Sequence, residues 1–167
     1  TIVAAIGAAW VLVLTAAAGH AGADESTFHL SADSIHLLAV GAWLGGLVPF
    51  ADAMRRPNAA IAAWRFSTLG VVSVCIVLVT GAINTWFMVG NIAALTGTPY
   101  GRLLVLKIVL FVVMVSVAGV NRFRLAPRGD TAALRRNALV ETVLGVAIVV
   151  IVAVLGTMPP GYGATQT

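Results

Sequence analysis

The three histidines of the chain lie close together in the sequence. His20, His29 and His36 fall within 17 consecutive positions. Imidazole nitrogen is a ligand for both copper and haem iron, so three imidazoles near one point predict a metal site. We rank His36 first because it is predicted to lie on a helix, His20 second, and His29, which is predicted to lie in a loop, third. The alternative is that these are polar residues at a membrane surface.

Two methionines could add sulfur ligands to this site. Thioether sulfur is a soft ligand that suits Cu(I). Met88 and Met158 are predicted near the ends of two other helices, on the same side of the bundle as the histidines. The two sulfurs and the imidazoles of His20 and His36 could therefore share one level. Methionine also fills gaps in apolar bundles, and packing is the alternative role.

Four polar residues lie inside predicted membrane segments, where such groups are costly and usually have a partner or a function. Asn84 and Lys107 each lie six residues from a predicted helix end, which is about 9 Å deep, and equal depth predicts a hydrogen bond between them. Asp33 is the alternative partner of Lys107. Glu141 is predicted one turn inside the last helix, and we expect it to pair with Arg122 rather than to transfer protons.

Small residues next to His36 predict close helix packing. Gly41 and Gly45 are four residues apart, Gly46 follows them, and Trp43 lies between them. The small-xxx-small pattern lets membrane helices approach closely. Such packing would hold the imidazole of His36 between two helices.

The composition of the chain predicts the kind of secondary structure that positions these residues. Hydrophobic residues make up 60% of the 167 residues and charged residues 10%, and the mean hydropathy is +1.01. In a soluble domain about a quarter of the residues are charged, so most of this surface faces lipid. The apolar runs do not alternate with the period of two that a membrane β-barrel requires. We predict an all-α integral membrane bundle of five transmembrane helices, at about 1–19, 32–52, 66–90, 101–121 and 137–157.

Charged residues in the predicted loops orient this bundle. Eight of the ten Lys and Arg residues fall in the loops between helices 2 and 3 and between helices 4 and 5. The positive-inside rule places these loops in the cytoplasm. The N-terminus is then cytoplasmic, the C-terminus is periplasmic, and the histidines lie at the outer face. Basic residues confined to two short loops also argue against a surface that binds nucleic acid.

Motifs for nucleotide binding and for nucleophilic catalysis are missing from the sequence. It contains no Walker A sequence, no GxGxxG and no GxSxG, so an enzyme is not predicted. No linker divides the chain, and we expect residues 1–167 to form a single membrane domain. The chain starts inside a hydrophobic run without a methionine, and we expect it to be part of a longer protein.

An ordered set of short motifs extends along nearly the whole chain. It comprises Gly19-His20-Ala21, Asp33-Ser34-Ile35-His36-Leu37-Leu38-Ala39, Trp43-Leu44-Gly45-Gly46-Leu47, Gly81-Ala82-Ile83-Asn84, Thr98-Pro99-Tyr100-Gly101-Arg102-Leu103-Leu104 with Lys107, Asn121-Arg122 with Pro127, Glu141, and Gly156-Thr157 with Pro159-Pro160. In this set the chain resembles the CopD family of bacterial copper-resistance membrane proteins. The resemblance implies an inner-membrane protein that moves or delivers copper, beside a CopC-like periplasmic copper protein or fused to a cytochrome-oxidase assembly region.

Two other functions stay open at this point. His20 and His36 could hold one haem between helices 1 and 2 in an electron-transfer module, with Arg102 and Lys107 near its propionates. Alternatively, the chain is a structural or assembly subunit in which the histidines have no ligand.

Overall fold

The computed structural model describes residues 27–89 and 92–158, with side chains for 31–86 and 95–158. Apart from short turns these residues are helical and contain no strand, which confirms the all-α prediction for this part of the chain. The helices are α1 (Thr27–Ala53), α2 (Ala59–Val89), α3 (Ile92–Gly97), α4 (Pro99–Val120), a π-helical segment (Asn121–Leu125), α5 (Ala126–Arg128) and α6 (Thr131–Leu155).

Within the described residues, four helical stretches are long and apolar enough to cross a bilayer. They are Ser31–Ala53, Ala59–Trp86, Pro99–Arg128 and Thr131–Leu155, and each exceeds the roughly 20 residues that a span needs. Valines on their outward faces are exposed, as lipid contact requires. These four stretches match predicted helices 2 to 5. The first predicted helix, at 1–19, lies outside the described residues.

The two exposed tryptophans of α2 lie near its two ends. The side chains of Trp64 and Trp86 are 71% and 74% exposed. They are separated by 22 residues, which is about 33 Å of helix. The hydrocarbon core of a bilayer is about 30 Å thick, and tryptophan concentrates at both of its surfaces. The length of α2 between these two residues therefore corresponds to one bilayer crossing.

Three predicted helix starts are wrong by five or more residues. Basic side chains on a helix can reach water, so α2 starts before Arg65 and α6 before Arg135. The helices α1, α2 and α6 begin at Thr27, Ala59 and Thr131. His29 therefore lies in the first turn of α1 and not in a loop. The short helix α3 also occupies part of a predicted loop.

Two turns are fixed by local side-chain chemistry. Thr98 caps α4 by accepting a hydrogen bond at 3.0 Å from the backbone NH three residues later, and Pro99 follows as the first helical residue. Asp130 caps α6 in the same way at 3.0 Å. Gly129, just before it, has a φ of 65°, which glycine adopts without steric cost. These caps set where α4 and α6 begin.

The long helices pack in the order α2, α1, α6 and α4. The helix α1 contacts both α2 and α6, and α6 contacts α4, whereas α2 and α4 meet only sparsely. Two cavities lie along this gap and take lining residues from all four helices. One end of the bundle, called here the arginine end, carries Arg55, Arg56, Arg65, Arg122, Arg124, Arg128, Arg135 and Arg136. The opposite end is called the histidine end.

The close approach of α1 to α2 depends on Gly46. A Cβ atom on Gly46 would lie 2.8 Å from the ring of Phe66, whereas a Cβ on Gly45 would have nothing within 4 Å. Phe66 is itself stacked on Phe50, with ring centroids 4.5 Å apart. The predicted packing role of Gly45 is therefore wrong, because this residue lies on an open face of α1, one position away from the contact.

Candidate metal-binding site

His36 is buried between α1 and α2. Its side chain is 7% exposed, and its Nδ1 atom lies 2.9 Å from Oγ1 of Thr80, which is 6% exposed. A Cβ atom on Gly81 would lie 3.5 Å from Cε1 of His36. The imidazole ring therefore lies against the backbone of α2 and is held there by one hydrogen bond.

The hydrogen bonds of Thr80 determine which imidazole nitrogen carries the proton. Oγ1 of Thr80 lies 2.7 Å from the carbonyl oxygen of Ile76 and donates its single proton there. Oγ1 must then accept from His36, so the proton of the neutral imidazole is on Nδ1. The lone pair of Nε2 is therefore left available to bind a metal ion. Metal-binding histidines are commonly oriented in this way, with the second nitrogen donating to a protein acceptor.

A cavity of about 470 Å³ opens beside His36. Its walls are mainly apolar, and Thr85, Lys107 and Met114 are lining residues that could contribute other chemistry. His36 and Lys107 both line this cavity. A site of this kind combines one imidazole, one thioether and one amine in a largely dry environment.

The face of α4 that lines the cavity includes Lys107, Phe111 and Met114, at spacings of four and three residues, with Leu104 and Ile108 beside them. Met114 is 1% exposed and lies about 10 Å farther along α4 than Lys107, toward the arginine end. Trp43 of α1 meets Phe111 edge to face, with ring centroids 6.2 Å apart. The cavity therefore extends from His36 and Lys107 down to Trp43 and Met114.

Asn84 and Asp33 form a polar contact near the histidine end. Nδ2 of Asn84 donates to Oδ1 of Asp33 at 2.9 Å, and Oδ1 of Asn84 is buried without a hydrogen-bond partner. The predicted hydrogen bond between Asn84 and Lys107 is therefore wrong, because α2 packs on α1 and not on α4. The alternative pairing of Lys107 with Asp33 stays a prediction.

Glu141 lies in a separate polar network. Its Oε1 accepts a hydrogen bond at 2.7 Å from Nδ2 of Asn121, while Nη1 of Arg122 donates to Oγ of Ser67. The predicted ion pair of Glu141 with Arg122 is therefore wrong. Since α6 begins at Thr131, Glu141 also lies about 15 Å along the helix, and not one turn from its end.

The structure describes only some of the other residues that were predicted to bind a metal. His20 lies outside the described residues. His29 lies on α1 and Met88 on α2, but their side chains are outside the described part. Met158 packs against the apolar cluster of Tyr100, Leu104 and Leu155. Among the described residues, no group of three His, Cys, Asp or Glu side chains could hold a metal ion.

Sequence reasoning missed Met114 and Thr80. The signal for Met114 was its spacing of seven residues from Lys107, which places both on one face of a helix. Thr80 gave no comparable signal, because a threonine in a membrane helix commonly bonds to its own backbone. Its pairing with His36, 44 residues away, depends on how α1 and α2 pack.

Comparisons with known proteins connect these features to a family. A family profile described as Copper resistance protein D (CopD) matches residues 60–155. The chain is 34% identical to Copper resistance protein D of Pseudomonas syringae pv. tomato, over 85% of this chain and 54% of that protein. It is 35% identical to Inner membrane protein YebZ of Escherichia coli (strain K12), over 89% and 56%. It is 29% identical to Copper transport protein CutJ of Bacillus subtilis (strain 168), over 89% and 29%.

No solved structure matches the chain significantly. The chain spans about half the length of the first two relatives. The family profile covers more than half of the chain. The four apolar helices agree with the location that is stated in the name Inner membrane protein YebZ. The chain thus belongs to the CopD family and is a multi-pass protein of the inner membrane.

Proposed function

We propose that this chain handles copper at the inner membrane, with Nε2 of His36 as the ligand that accepts the ion. The observation that carries the proposal is the orientation of His36 by Thr80, which leaves Nε2 available beside a cavity. Relatives named for copper resistance and copper transport support copper as the substrate.

The ligand chemistry of the cavity favours Cu(I). Thioether sulfur selects soft ions, and imidazole also binds copper. Met114 lies farther toward the arginine end than His36 and lines the same cavity, so the two side chains would act in succession. His20, His29, Met88 and Met158 remain proposed additional ligands at the histidine end.

Copper is proposed to enter from the periplasmic side. The arginine end is the cytoplasmic end in this proposal, because positive residues are retained inside. The first predicted helix, at 1–19, completes a bundle of five spans with a cytoplasmic N-terminus. A CopC-like periplasmic protein would deliver copper to the histidine end, and a cytochrome-oxidase assembly region is a second proposed partner.

Lys107 is the main electrostatic obstacle to this proposal. A protonated amine near His36 repels a copper ion, most strongly where water is excluded. The predicted pairing with the carboxylate of Asp33 would offset part of this charge. Asn84 holds that carboxylate through its hydrogen bond of 2.9 Å. The three residues therefore set the potential that an incoming cation meets.

The test is equilibrium competition for Cu(I) with a chromophoric chelator, on the detergent-solubilised full-length protein. His36→Ala is expected to weaken binding on the order of 10-fold or more, which is at least about 1.4 kcal/mol. Met158→Ala removes one of the proposed additional ligands and should have a smaller effect, because Met158 also packs in an apolar cluster and a site with spare ligands can re-form. Wild-type copper affinity in folded His36→Ala protein would contradict the proposal.

The apolar lining and the size of the cavity favour haem binding as the second candidate function. A cavity of about 470 Å³ with one available imidazole nitrogen also suits a haem axial ligand, and His20 would supply the other. A red purified protein with a Soret band that His36→Ala abolishes would support this candidate. A colourless protein that contains copper by elemental analysis would exclude it.

A further inference from the structure

A second cavity lies along the gap between α2 and α4. Its volume is about 200 Å³, and Trp43 lines both this cavity and the one beside His36. The second cavity is nearer the arginine end, since Phe66, Leu134 and other residues from the start of α2 and α6 line it. Its polar or titratable lining residues are Ser67, Cys75, Asn121, Arg122 and Glu141.

A chain of side-chain hydrogen bonds ends at Glu141. Nδ2 of Asn137 donates to Oδ1 of Asn121 at 2.7 Å, and Nδ2 of Asn121 donates to Oε1 of Glu141, also at 2.7 Å. Glu141 is 2% exposed, and its Oε2 is buried without a hydrogen-bond partner. Oε1 is thus fixed as a hydrogen-bond acceptor, and Oε2 is left without a partner and can carry a proton.

Among the described residues, no cation forms an ion pair with the carboxyl group of Glu141, and its Oε2 has no hydrogen-bond partner. The helix α1 contributes Trp43 and Phe50 to this cavity, and α2 contributes Cys75 as its titratable group. Arg122 also lines the cavity, but its Nη1 donates to Ser67. An ionised carboxylate without an ion partner costs several kcal/mol when it is buried, whereas a protonated carboxyl avoids this cost.

We propose that Glu141 is a proton-binding site, which is protonated in this arrangement and exchanges its proton with water at the arginine end. The second cavity supplies the route, because a volume of about 200 Å³ has room for water, which occupies about 30 Å³ per molecule in the liquid. Ser67 is half-buried and Arg122 is exposed, so these residues connect the cavity to the surface.

The backbone near Asn121 is specialised in a way that agrees with this site. Asn121 is the first residue of the π-helical segment Asn121–Leu125, and such insertions are frequent at functional sites. The side chain of Asn121 is fixed at both ends, as acceptor from Asn137 and as donor to Glu141. The acceptor oxygen of Glu141 is therefore set, and Oε2 is the atom that carries the proton.

The test is labelling by dicyclohexylcarbodiimide, an apolar reagent that reacts with protonated carboxyl groups, on the full-length protein in lipid. Mass spectrometry of peptides should find the label on Glu141 at neutral pH, with less label as the pH is raised. Glu141→Gln should abolish this label and still fold, since glutamine can accept the hydrogen bond from Asn121. Asp130→Asn removes an exposed carboxyl that caps α6 and should leave the labelling unchanged.

Infrared difference spectra between low and high pH provide the second measurement. Wild-type protein should show a carbonyl-stretch band of a protonated carboxyl that is missing from Glu141→Gln, whereas the bands of the other carboxyl groups remain. Folded wild-type protein that shows neither this band nor a label on Glu141 at neutral pH would overturn the proposal. Cu(I) affinity is measured in parallel and should be unchanged in Glu141→Gln, so failure of the copper site and failure of the proton site are distinguished.

Discussion

The hydroxyl of Thr80 should control copper binding by His36 without touching the metal. Thr80→Val keeps the shape of the side chain but removes the acceptor that lies 2.9 Å from Nδ1 of His36. Both residues are buried, so an Nδ1–H group that keeps its proton loses its partner at a cost of about 1–3 kcal/mol. The ring escapes this cost by turning or by moving its proton to Nε2, and either change removes the available Nε2 lone pair.

The expected loss of copper affinity follows from this geometry. Removing the partner that orients a metal-binding histidine typically weakens metal binding by about 10- to 100-fold, which corresponds to about 1.4–2.8 kcal/mol. Thr80→Ser retains the hydroxyl and should bind Cu(I) within about 2-fold of wild type, which is less than about 0.5 kcal/mol. The measurement is Cu(I) competition on both variants of the full-length protein after folding has been checked.

A spectroscopic measurement distinguishes a changed orientation of the His36 ring from general damage to the fold. Nitrogen NMR of protein labelled in its histidines reports which ring nitrogen carries the proton, and His36→Ala identifies the signal of His36. Thr80→Val should change this signal, and Thr80→Ser should not. A folded Thr80→Val protein with wild-type copper affinity and an unchanged signal would refute the role of Thr80 and weaken the case for His36 as a ligand.

Two further predictions concern packing and topology. Gly46→Ala should destabilise the bundle by about 1–3 kcal/mol, the usual range for overpacking, because the added Cβ would lie 2.8 Å from the ring of Phe66. Gly45→Ala has open space and should be neutral or stabilising, so equal melting temperatures of the two variants would contradict the packing. Reporter fusions at Arg128 and Gly97 should give cytoplasmic and periplasmic signals respectively, and the reverse pair of signals would invert the proposed orientation.

The existence of the four described long helices was predictable, because about 20 apolar residues in a row have few alternatives in a membrane. Their first residues were not predictable from hydropathy. Arg65 lies within α2 and Arg135 within α6, since a helix continues past the apolar run where basic side chains reach water. The start of α1 at Thr27 likewise places His29 on a helix and not in the predicted loop.

The partners of the buried polar residues were harder to predict than their depth. Depth along a helix follows from counting residues, but direction around the axis depends on which helices are neighbours. Asn84 was paired with Lys107 on the next long helix, yet its neighbour is Asp33 on α1. Glu141 was predicted to pair with Arg122, yet the amide of Asn121 is its partner. A single sequence contains no signal that selects between these neighbours.

The sparse contact between α2 and α4 connects the two proposed sites. Both cavities lie along this gap, and Trp43, which is 2% exposed, lines both of them. An edge-to-face aromatic pair such as Trp43 and Phe111 contributes about 0.5–1.5 kcal/mol beyond its buried area. A ligand shifts an equilibrium between two arrangements only by its difference in affinity for them. Opening this contact would cost that energy together with the burial of Trp43, so a copper ion joins the cavity of His36 to that of Glu141 only if its preference for the open arrangement exceeds this sum.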